Sequence, residues 1–508
     1  MKYFSSFRNE QTPTASLLKY RITSFSSIDA RDTIVPKSLG LCSYGYNIRF
    51  TNGMLTHSYG LRFAEWDTLK SGVHVSIPYL ITEGEMFRRI HVFGRTDEDG
   101  NEKTELIAYS DKGRFYFCPL TEPSEQMEYF AGFTDVSEDV SFINYYTGGK
   151  DTALIYTENG AYAYDGVLTR KEGVTGLIGA CMHYDRVFGV KPGMADTIAF
   201  SALLDPFDFS TENGGGEISL MDEGGKILKL VSMRNSIYIF RENAVQRLTA
   251  YVDPTEYTIT RIATLDKPVR SRSVASDLDR IFFVAGETVY SLSASGIKAE
   301  YEEVTPLIAS AEYAVGKIYD GTYYLACNIR KEGDEKVGDE PTEGAITEND
   351  SLFGFGFARG TLDIMRGTDL RDFAAVATDE VTAFLTCLGG NRGAALGMVT
   401  DDGTFFGLPL LKVWRSHKVR VGDEEKLKIL KRIYLNSTHQ LNITVETEEG
   451  KILKSVYGGE KMSLSLWGKL CGDSLKISFS SAQPCLRVGE AVLYIAQYGR
   501  YLGDDGSY

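Results

Sequence analysis

Short runs of consecutive apolar residues, each followed by a turn dipeptide and another such run, dominate the middle of this chain. Residues 237–240 (IYIF) and 281–284 (IFFV) are examples. A strand that is apolar at consecutive positions must be covered on both of its faces. The pattern therefore predicts an all-β protein in which most central strands are packed between neighbouring sheets.

The turn signals recur about every 40 residues, which is the spacing of β-propeller blades. They lie at Lys112-Gly113, Asn159-Gly160, Pro192-Gly193, Glu242-Asn243, Gly286, Asp320-Gly321, Arg359-Gly360 and Asp402-Gly403. In a propeller, neighbouring blades cover each other's faces, as the apolar runs require. A β-sandwich is the competing fold, but its turns would come every 8 to 12 residues or so without a longer period. We therefore expect a β-propeller of about six to eight blades.

Residues 177–251 carry this pattern most clearly, because they hold two hairpin-like units in succession. We interpret them as two consecutive blades. The polar loop "DPFDFSTENGGG" between the two units is expected to join the blades at the rim of the propeller. This loop is where we would first look for a neighbouring subunit.

The remaining text divides the chain into regions. Residues 1–40 are polar and of mixed pattern, which indicates an N-terminal arm or strap; residues 41–410 are the expected propeller, and residues 411–508 are expected to form a C-terminal β-sandwich. In this last region Glu449-Gly450 is a hairpin turn signal. The first hairpin is predicted over residues 46–63, "YNIRFTNGMLTHSYGLRF", with Asn52-Gly53 as its turn.

An acidic insertion interrupts the propeller at residues 330–350, which contain eight acidic and three basic residues. We interpret it as a solvated loop inserted between strands of one blade. A contact with a partner subunit and a Ca²⁺ site are the alternatives, although the regular Asp/Asn spacing of a calcium loop is missing.

The net charge of −15 and the pI of about 5.1 argue against a nucleic-acid-binding surface, since phosphate contacts need clustered Lys and Arg. A surface that lines a passage for DNA is different, because repulsion there would prevent sticking. Neither a secretory signal peptide nor an apolar stretch of about 18 residues is present, so we expect a soluble protein.

The residues that usually carry chemistry are scattered. The seven cysteines form no CxxC pair, which favours small buried thiols in a reducing compartment, and the six histidines form no HxH or HExxH motif. Glycines 214–216 follow a polar loop and precede a strand, so they do not form a phosphate cradle. The sequence therefore predicts no catalytic, cofactor-binding or metal-binding residue, and no cofactor. The cysteines and histidines to which none of these roles is assigned are Cys42, Cys118, Cys181, Cys327, Cys387, Cys471, Cys485, His57, His74, His91, His183, His417 and His439.

The enzyme class to consider is a propeller glycosidase, because some propellers hydrolyse glycans with two carboxylates. The repeated Asp box of sialidase-type enzymes has the form S-x-D-x-G-x-T-W. Residues 400–407, "TDDGTFFG", approach this form but fail its spacing and lack the Trp, and no second copy is present. We expect a protein that is not an enzyme.

Several segments resemble β-propeller structural proteins of tailed bacteriophages. They are "TIAFSALLDPFDFS", the Gly-rich loop and "NSIYIFRENAVQRLTAY" in the middle, "NIRFTNGMLTHSYGLRF" near the start and "VWRSHKVRVGDEEKLKILKRIYL" near the end. At the start, Ser58-Tyr59-Gly60 stands where an Arg-x-Gly is commoner in that group. The resemblance touches both ends and the middle of the chain, and no catalytic residue belongs to the group.

The resemblance implies a non-enzymatic component of a virion tail, similar to the nozzle or hub proteins of short-tailed phages. Such proteins assemble in the bacterial cytoplasm into a ring, expected here to be a hexamer, below the portal and adaptor. The ring extends the channel for genomic DNA, without sequence-specific binding, and anchors fibres or other tail proteins. A glycan hydrolase or depolymerase and a receptor-binding propeller at the tail tip remain the alternatives.

Overall fold

The computed structural model shows an all-β chain with 62% strand and 3% helix, as expected. It divides into two compact units. Unit 1 comprises residues 1–58, 360–362 and 409–508; unit 2 comprises residues 59–359 and 363–408. The structure describes residues 16–32, 37–63, 65–70, 73–78, 84–97, 99–120, 127–130, 132–147, 149–251, 253–331, 348–357, 362–366, 370–377, 382–388, 396–400, 402–405, 407–423, 426–448, 450–465 and 474–499.

The strands are numbered in chain order. The first eight are Ser16–Ile22 (β1), Ser26–Ile28 (β2), Leu41–Tyr46 (β3), Ile48–Thr51 (β4), Met54–His57 (β5), Gly60–Phe63 (β6), Glu65–Lys70 (β7) and Val73–Pro78 (β8). The next twelve are Phe87–Thr96 (β9), Glu102–Ser110 (β10), Phe115–Pro119 (β11), Glu128–Tyr129 (β12), Val140–Thr147 (β13), Lys150–Thr157 (β14), Ala161–Tyr164 (β15), Leu168–Lys171 (β16), Ile178–His183 (β17), Arg186–Val190 (β18), Thr197–Phe200 (β19) and Gly216–Ser219 (β20).

The chain continues through Ile227–Met233 (β21), Ser236–Arg241 (β22), Ala244–Thr249 (β23), Thr258–Thr264 (β24), Ala275–Ser276 (β25), Ile281–Ala285 (β26), Thr288–Ser293 (β27), Gly296–Glu300 (β28), Ile308–Tyr319 (β29), Thr322–Ile329 (β30), Ser351–Gly356 (β31) and Leu362–Arg366 (β32). The last strands are Leu370–Ala377 (β33), Thr382–Leu388 (β34), Leu396–Thr400 (β35), Thr404–Phe405 (β36), Leu408–Pro409 (β37), Lys412–Ser416 (β38), Val419–Arg420 (β39), Lys426–Ser437 (β40), Leu441–Thr447 (β41), Gly450–Val456 (β42), Gly459–Ser465 (β43), Ser474–Ser481 (β44) and Arg487–Gly499 (β45). Short 3₁₀ turns lie at Thr211–Asn213, Pro254–Glu256, Ser271–Ser273 and Thr305–Leu307.

Unit 2 contains six blades of a β-propeller, each built from four consecutive antiparallel strands. The blades are β9–β12, β13–β16, β17–β20, β21–β24, β25–β28 and β29–β32. The first strand of each blade is the innermost, and it neighbours the first strands of the adjacent blades. The propeller predicted from the turn spacing is therefore confirmed.

A further sheet, ordered β33-β34-β35-β6, lies between the sixth blade and the first, because β33 neighbours both β29 and β9. Its fourth strand comes from near the start of the chain, with Gly60 paired to Thr400 and Phe63 to Gly397. Gly60 also lets β36 approach β6 closely, because a Cβ there would lie 2.3 Å from the carbonyl oxygen of Thr404. The expected first hairpin is right for β4 and β5, which pair across the Asn52-Gly53 turn, but wrong for β6.

Apolar side chains from neighbouring blades pack together in layers, which explains why the strands are apolar on both faces. The layer between the fourth and fifth blades includes Phe240, Val245, Phe283 and Leu292. The rings of Phe240 and Phe283 lie 5.1 Å apart at 63°. Similar layers join the first blade to the second, the second to the third and the third to the fourth.

The predicted turns do not all occupy the same place in a blade. Those at Lys112-Gly113, Asn159-Gly160, Pro192-Gly193, Glu242-Asn243 and Gly286 connect the second and third strands of the first five blades. Asp320-Gly321 instead connects β29 to β30, the first two strands of the sixth blade. Arg359-Gly360 lies outside the described residues. Asp402-Gly403 connects β35 to β36.

The acidic insertion explains the change at the sixth blade. It begins after β30 ends at Ile329 and finishes where β31 starts at Ser351, which is the second-to-third connection of this blade. The two ends of the insertion therefore lie between strands of one blade, while residues 332–347 lie outside the described residues.

The loop at residues 201–215 also differs from the expectation. It connects β19 to β20, the third and fourth strands of the third blade, and so does not join two blades. The link to the fourth blade is the segment 220–226, between β20 and β21. The strand expected after glycines 214–216 is Gly216–Ser219, and it is the fourth strand of the third blade instead of part of the next blade. The interpretation of residues 177–251 as parts of two consecutive blades is confirmed.

Unit 1 contains two groups of strands. One has the order β4-β5-β45-β40-β43, with β1 paired to β45 along its full length; the other has the order β2-β3-β38-β44-β41-β42, with β39 on β44. Strands β41 and β42 pair from Thr447 and Gly450 outward, which confirms the predicted hairpin turn. Phe25, Trp414 and Phe479 pack together in the core of unit 1. The predicted C-terminal β-sandwich stays a prediction.

Candidate functional site

The innermost strands of unit 2 line a cavity of about 490 Å³ at the axis of the propeller. Residues from β9, β13, β17, β21, β29 and β33, and from the segment at β25, contribute to its wall. Its charged side chains are Arg89, Asp139, Lys229, Arg272, Lys317 and Asp372. The axis is therefore polar, whereas the layers between blades are apolar.

Polar side chains at the axis join one blade to the next. His91 Nε2 on β9 lies 2.7 Å from Asn144 Oδ1 on β13. The imidazole stacks on Phe142, with ring centroids 5.1 Å apart, and burial lowers the pKa of His91 to about 4. The ring is therefore neutral at pH 7. Asp139, just before β13, accepts a 2.6 Å hydrogen bond from the backbone N–H of Gly179 on β17.

The same kind of join continues around the axis. His183 Nδ1 on β17 lies 2.9 Å from Ser232 Oγ on β21. Lys229, also on β21, donates a 2.8 Å hydrogen bond from Nζ to the carbonyl oxygen of Val274, just before β25. Both bonds connect residues about 45 to 50 positions apart in sequence, which is one blade repeat.

The remaining joins involve the last blades. Tyr323 on β30 donates a 2.8 Å hydrogen bond to the carbonyl oxygen of Ser273. Lys317 Nζ on β29 lies 3.7 Å from Asp372 Oδ1 on β33. Asp372 then accepts a 3.1 Å hydrogen bond at Oδ2 from the backbone N–H of Ile90 on β9, which completes the circuit.

The two carboxylates of the cavity, Asp139 and Asp372, bear on the glycosidase alternative. Each accepts from backbone N–H groups: Asp139 from Gly179, and Asp372 from Ile90 and from Phe373. These bonds give both carboxylates a positioning role between strands.

Sequence reasoning named no site residue and missed the axial set. One signal was present: Lys229 and Lys317 are single cations within the strand-like segments "ILKLVSM" and "YAVGKIY", and Arg89 follows Arg88 in the strand-like segment "FRRIHVF". Alone, each such cation is typical of a solvated strand face. In the part of the chain that the structure describes, no group of three or more His, Cys, Asp or Glu residues is placed to hold a metal ion.

The loop after β19 presents apolar side chains to solvent. Leu203 and Leu204 are 40% and 64% exposed. Leu204 has φ of +61°, a left-handed conformation that costs a non-glycine residue roughly 1–2 kcal/mol. The surrounding structure must therefore hold this leucine in place.

Hydrogen bonds fix the backbone of this loop. The N–H of Leu204 donates to the carbonyl oxygen of Asp185 at 3.0 Å, and Tyr145 donates to the carbonyl oxygen of Leu204 at 3.3 Å. The buried hydroxyl of Tyr156 donates to the carbonyl oxygen of Pro206 at 2.5 Å. Since these tyrosines belong to β13 and β14, the second blade sets the position of a loop of the third.

A groove of about 290 Å³ runs beside this loop. Its walls include Leu154, Asp165, Lys171 and Phe207, and the ammonium group of Lys171 lies 5.0 Å from the centre of the Phe207 ring. The groove and the exposed leucines together form one mixed apolar and polar surface at the edge of the second and third blades.

Within the described residues, no helix is both long and apolar enough to cross a membrane. No protein-family model matches the chain, and no curated protein matches it.

Solved structures that match this chain include the N-terminal domain of Nup159, with 10% identity and a TM-score of 0.37 over 68% of this chain and 95% of that one. Another is BBS1N in complex with ARL6DN, with 7% identity and a TM-score of 0.41 over 67% of this chain and 97% of that one. Raptor of Chaetomium thermophilum matches at 6% identity and a TM-score of 0.34, over 62% of this chain and 27% of that one. These values are too low to inform on function.

Proposed function

We propose that this chain is a non-enzymatic structural subunit that assembles with copies of itself into a ring within a bacteriophage virion tail. The proposal of a ring is supported by the loop of the third blade, whose fixed backbone exposes Leu203 and Leu204 to solvent. Apolar side chains presented on a rigid loop are typical of protein interfaces. The virion tail is the setting that the sequence resemblance implies.

The occupant that we propose for this surface is a second copy of the chain. Heterologous contacts, in which one face of a subunit meets a different face of the next, close into a ring when the rotation permits. The groove beside Leu204 offers an apolar and polar surface next to a protruding leucine pair, so one subunit can supply both kinds of feature. Six copies are expected from the resemblance. The portal, the adaptor and other tail proteins are the further proposed partners.

The decisive experiment is native mass spectrometry and cryo-EM of the full chain. We expect a closed ring, and we expect Leu204→Asp to shift it strongly towards monomer, because each interface would bury an uncompensated carboxylate. Leu278→Asp is the matched control: Leu278 is 84% exposed on the β25–β26 connection, far along the sequence from the loop. It should leave the ring intact.

A chain that stays monomeric at high concentration would contradict the ring, as would equal disruption by Leu278→Asp. Immunogold labelling of virions with an antibody to this chain addresses the tail separately. Labelling at the tail below the portal supports the proposal. Labelling confined to the distal tip favours the receptor-binding alternative, and glycan turnover by the purified chain favours the hydrolase.

A further inference from the structure

Cationic side chains from four different parts of the propeller converge on the axial cavity. Arg89 lies on β9, Lys229 on β21, Arg272 in the 3₁₀ turn before β25, and Lys317 on β29. Against these four cations the cavity wall carries two carboxylates. The axis is therefore net positive in a chain whose net charge is −15.

Two of the four cations have a carboxylate partner. Arg272 lies 3.3 Å from Glu348 and also donates to the carbonyl oxygen of Arg371. Lys317 lies 3.7 Å from Asp372. Their charges are thus partly neutralised within the protein.

Arg89 and Lys229 are held differently. Lys229 donates to the carbonyl oxygen of Val274 at 2.8 Å, and Arg89 donates to the carbonyl oxygens of Arg88 at 2.8 Å and Glu138 at 3.4 Å. Among the residues that the structure describes, neither forms an ion pair with a carboxylate within 4.0 Å. A carbonyl oxygen orients a cation but leaves its charge available to a ligand.

The electrostatics of the cavity agree with this geometry. Burial, with the nearby charges of Lys317 and Arg89, lowers the pKa of Lys229 to about 8, although Asp139 and Asp372 oppose the shift. At pH 7 the ammonium group still carries its charge. A bound anion would relieve the repulsion among these cations.

We propose that the axial cavity binds a small molecule that carries phosphate groups, through Arg89, Lys229 and Lys317. Phosphate oxygens accept hydrogen bonds from guanidinium and ammonium groups approaching from several directions, as these side chains do. The volume of about 490 Å³ lies within the usual range for small-molecule sites. This site is independent of ring assembly, because its residues belong to the inner strands of one chain.

Isothermal titration calorimetry with inorganic pyrophosphate at pH 7 and low salt tests the site. We expect saturable binding with one site per chain, weakened about tenfold or more by Lys229→Gln and by Arg89→Gln, since each removes a charge-assisted contact. Glutamine keeps a polar side chain that can form hydrogen bonds at either position, which favours folding of both variants. Circular dichroism confirms that each variant is folded.

Lys267→Gln is the matched control. Lys267 pairs with Glu287 on the surface, and its substitution removes the same unit of charge as the two cavity variants. It should bind pyrophosphate like the unaltered chain. The proposal fails if the unaltered chain does not bind pyrophosphate, or if Lys267→Gln weakens binding as much as the two cavity variants, which would show general charge attraction. Thermal stabilisation by pyrophosphate, lost in the same two variants, is the second readout.

Discussion

The layers between the blades and the axis of the propeller solve the same problem, joining one sheet to the next, with opposite kinds of side chain. The layers use buried rings and aliphatic groups such as Phe240 and Phe283. The axis uses hydrogen bonds that cross from blade to blade, such as Lys229 to Val274 and Ile90 to Asp372. Apolar burial gives much energy with little directional preference, while hydrogen bonds add less energy but fix position.

Because of this difference, substitutions in the layers and at the axis are expected to have different effects on stability and on ligand binding. A layer that is fully buried cannot accept a ligand without losing its packing. The axial groups already face a cavity, and their cross-blade bonds hold them in place. We therefore expect changes in the layers to act mainly on stability, and changes at the axis to act on both stability and binding.

The largest effect is expected from Phe283→Ala in the layer between the fourth and fifth blades. Phe283 is fully buried and packs against Phe240 and Tyr290, with ring centroids 5.1 Å and 5.4 Å away. Removing a buried ring leaves a cavity and should lower the free energy of unfolding by about 3–5 kcal/mol. Urea denaturation, with hydrogen exchange in β26 and β27, measures the loss.

Tyr146→Ala is the control for this prediction, because Tyr146 is 67% exposed. Its effect should stay within about 0.5 kcal/mol. Equal shifts of the urea midpoint for the two variants would contradict the view that the layers hold the blades together.

A smaller effect is expected from Asp372→Ala at the axis. Asp372 is 3% exposed and accepts from the N–H groups of Ile90 and Phe373, besides facing Lys317. Its loss leaves a buried donor without a partner, which should cost about 1–3 kcal/mol. Hydrogen exchange should speed up at the amide of Ile90, and Asp372→Asn, which keeps an acceptor oxygen, should retain more protection. Unchanged exchange at Ile90 in Asp372→Ala would show that this bond does not join β33 to β9.

The layers could be predicted from the sequence and the axis could not, for a physical reason. Runs such as residues 281–284 record burial on both faces in consecutive positions, so one stretch of sequence carries the information. The axial cavity is assembled from single residues such as Arg89, Lys229 and Lys317, which lie in different blades. Each alone looks like an ordinary polar position of a strand.

Two features of the propeller lay beyond what the local sequence could predict, for related reasons. Asp320-Gly321 is a strong signal for a tight turn, but a turn dipeptide does not say which two strands of a blade it connects. The strand Gly60–Phe63 pairs with Leu396–Thr400 from the other end of the propeller, and local sequence contains no trace of a partner so far away. Local chemistry thus predicts strands and turns, while the closing pairs depend on the whole chain.

The smallest and most specific effect is expected from the pH dependence of stability at Lys229. The pKa of Lys229 is lowered from 10.5 to about 8 in the folded chain, so the unfolded chain holds a proton that the folded chain releases between these values. Stability should therefore rise with pH from about 8 to 10.5, relative to Lys229→Met, which lacks the group. The charged groups that face it are Arg89, Asp139, Lys317 and Asp372.

We expect a difference of about 1 kcal/mol or less, since Lys229 is half-buried and solvent screens its charge. Urea midpoints of both chains across this pH range measure it. A difference that stays flat from pH 8 to 10.5, or falls, would mean that burial and the neighbouring cations do not lower the pKa of Lys229. In that case the axis would differ from the layers in its hydrogen bonds, but the charge of Lys229 would not contribute to the difference.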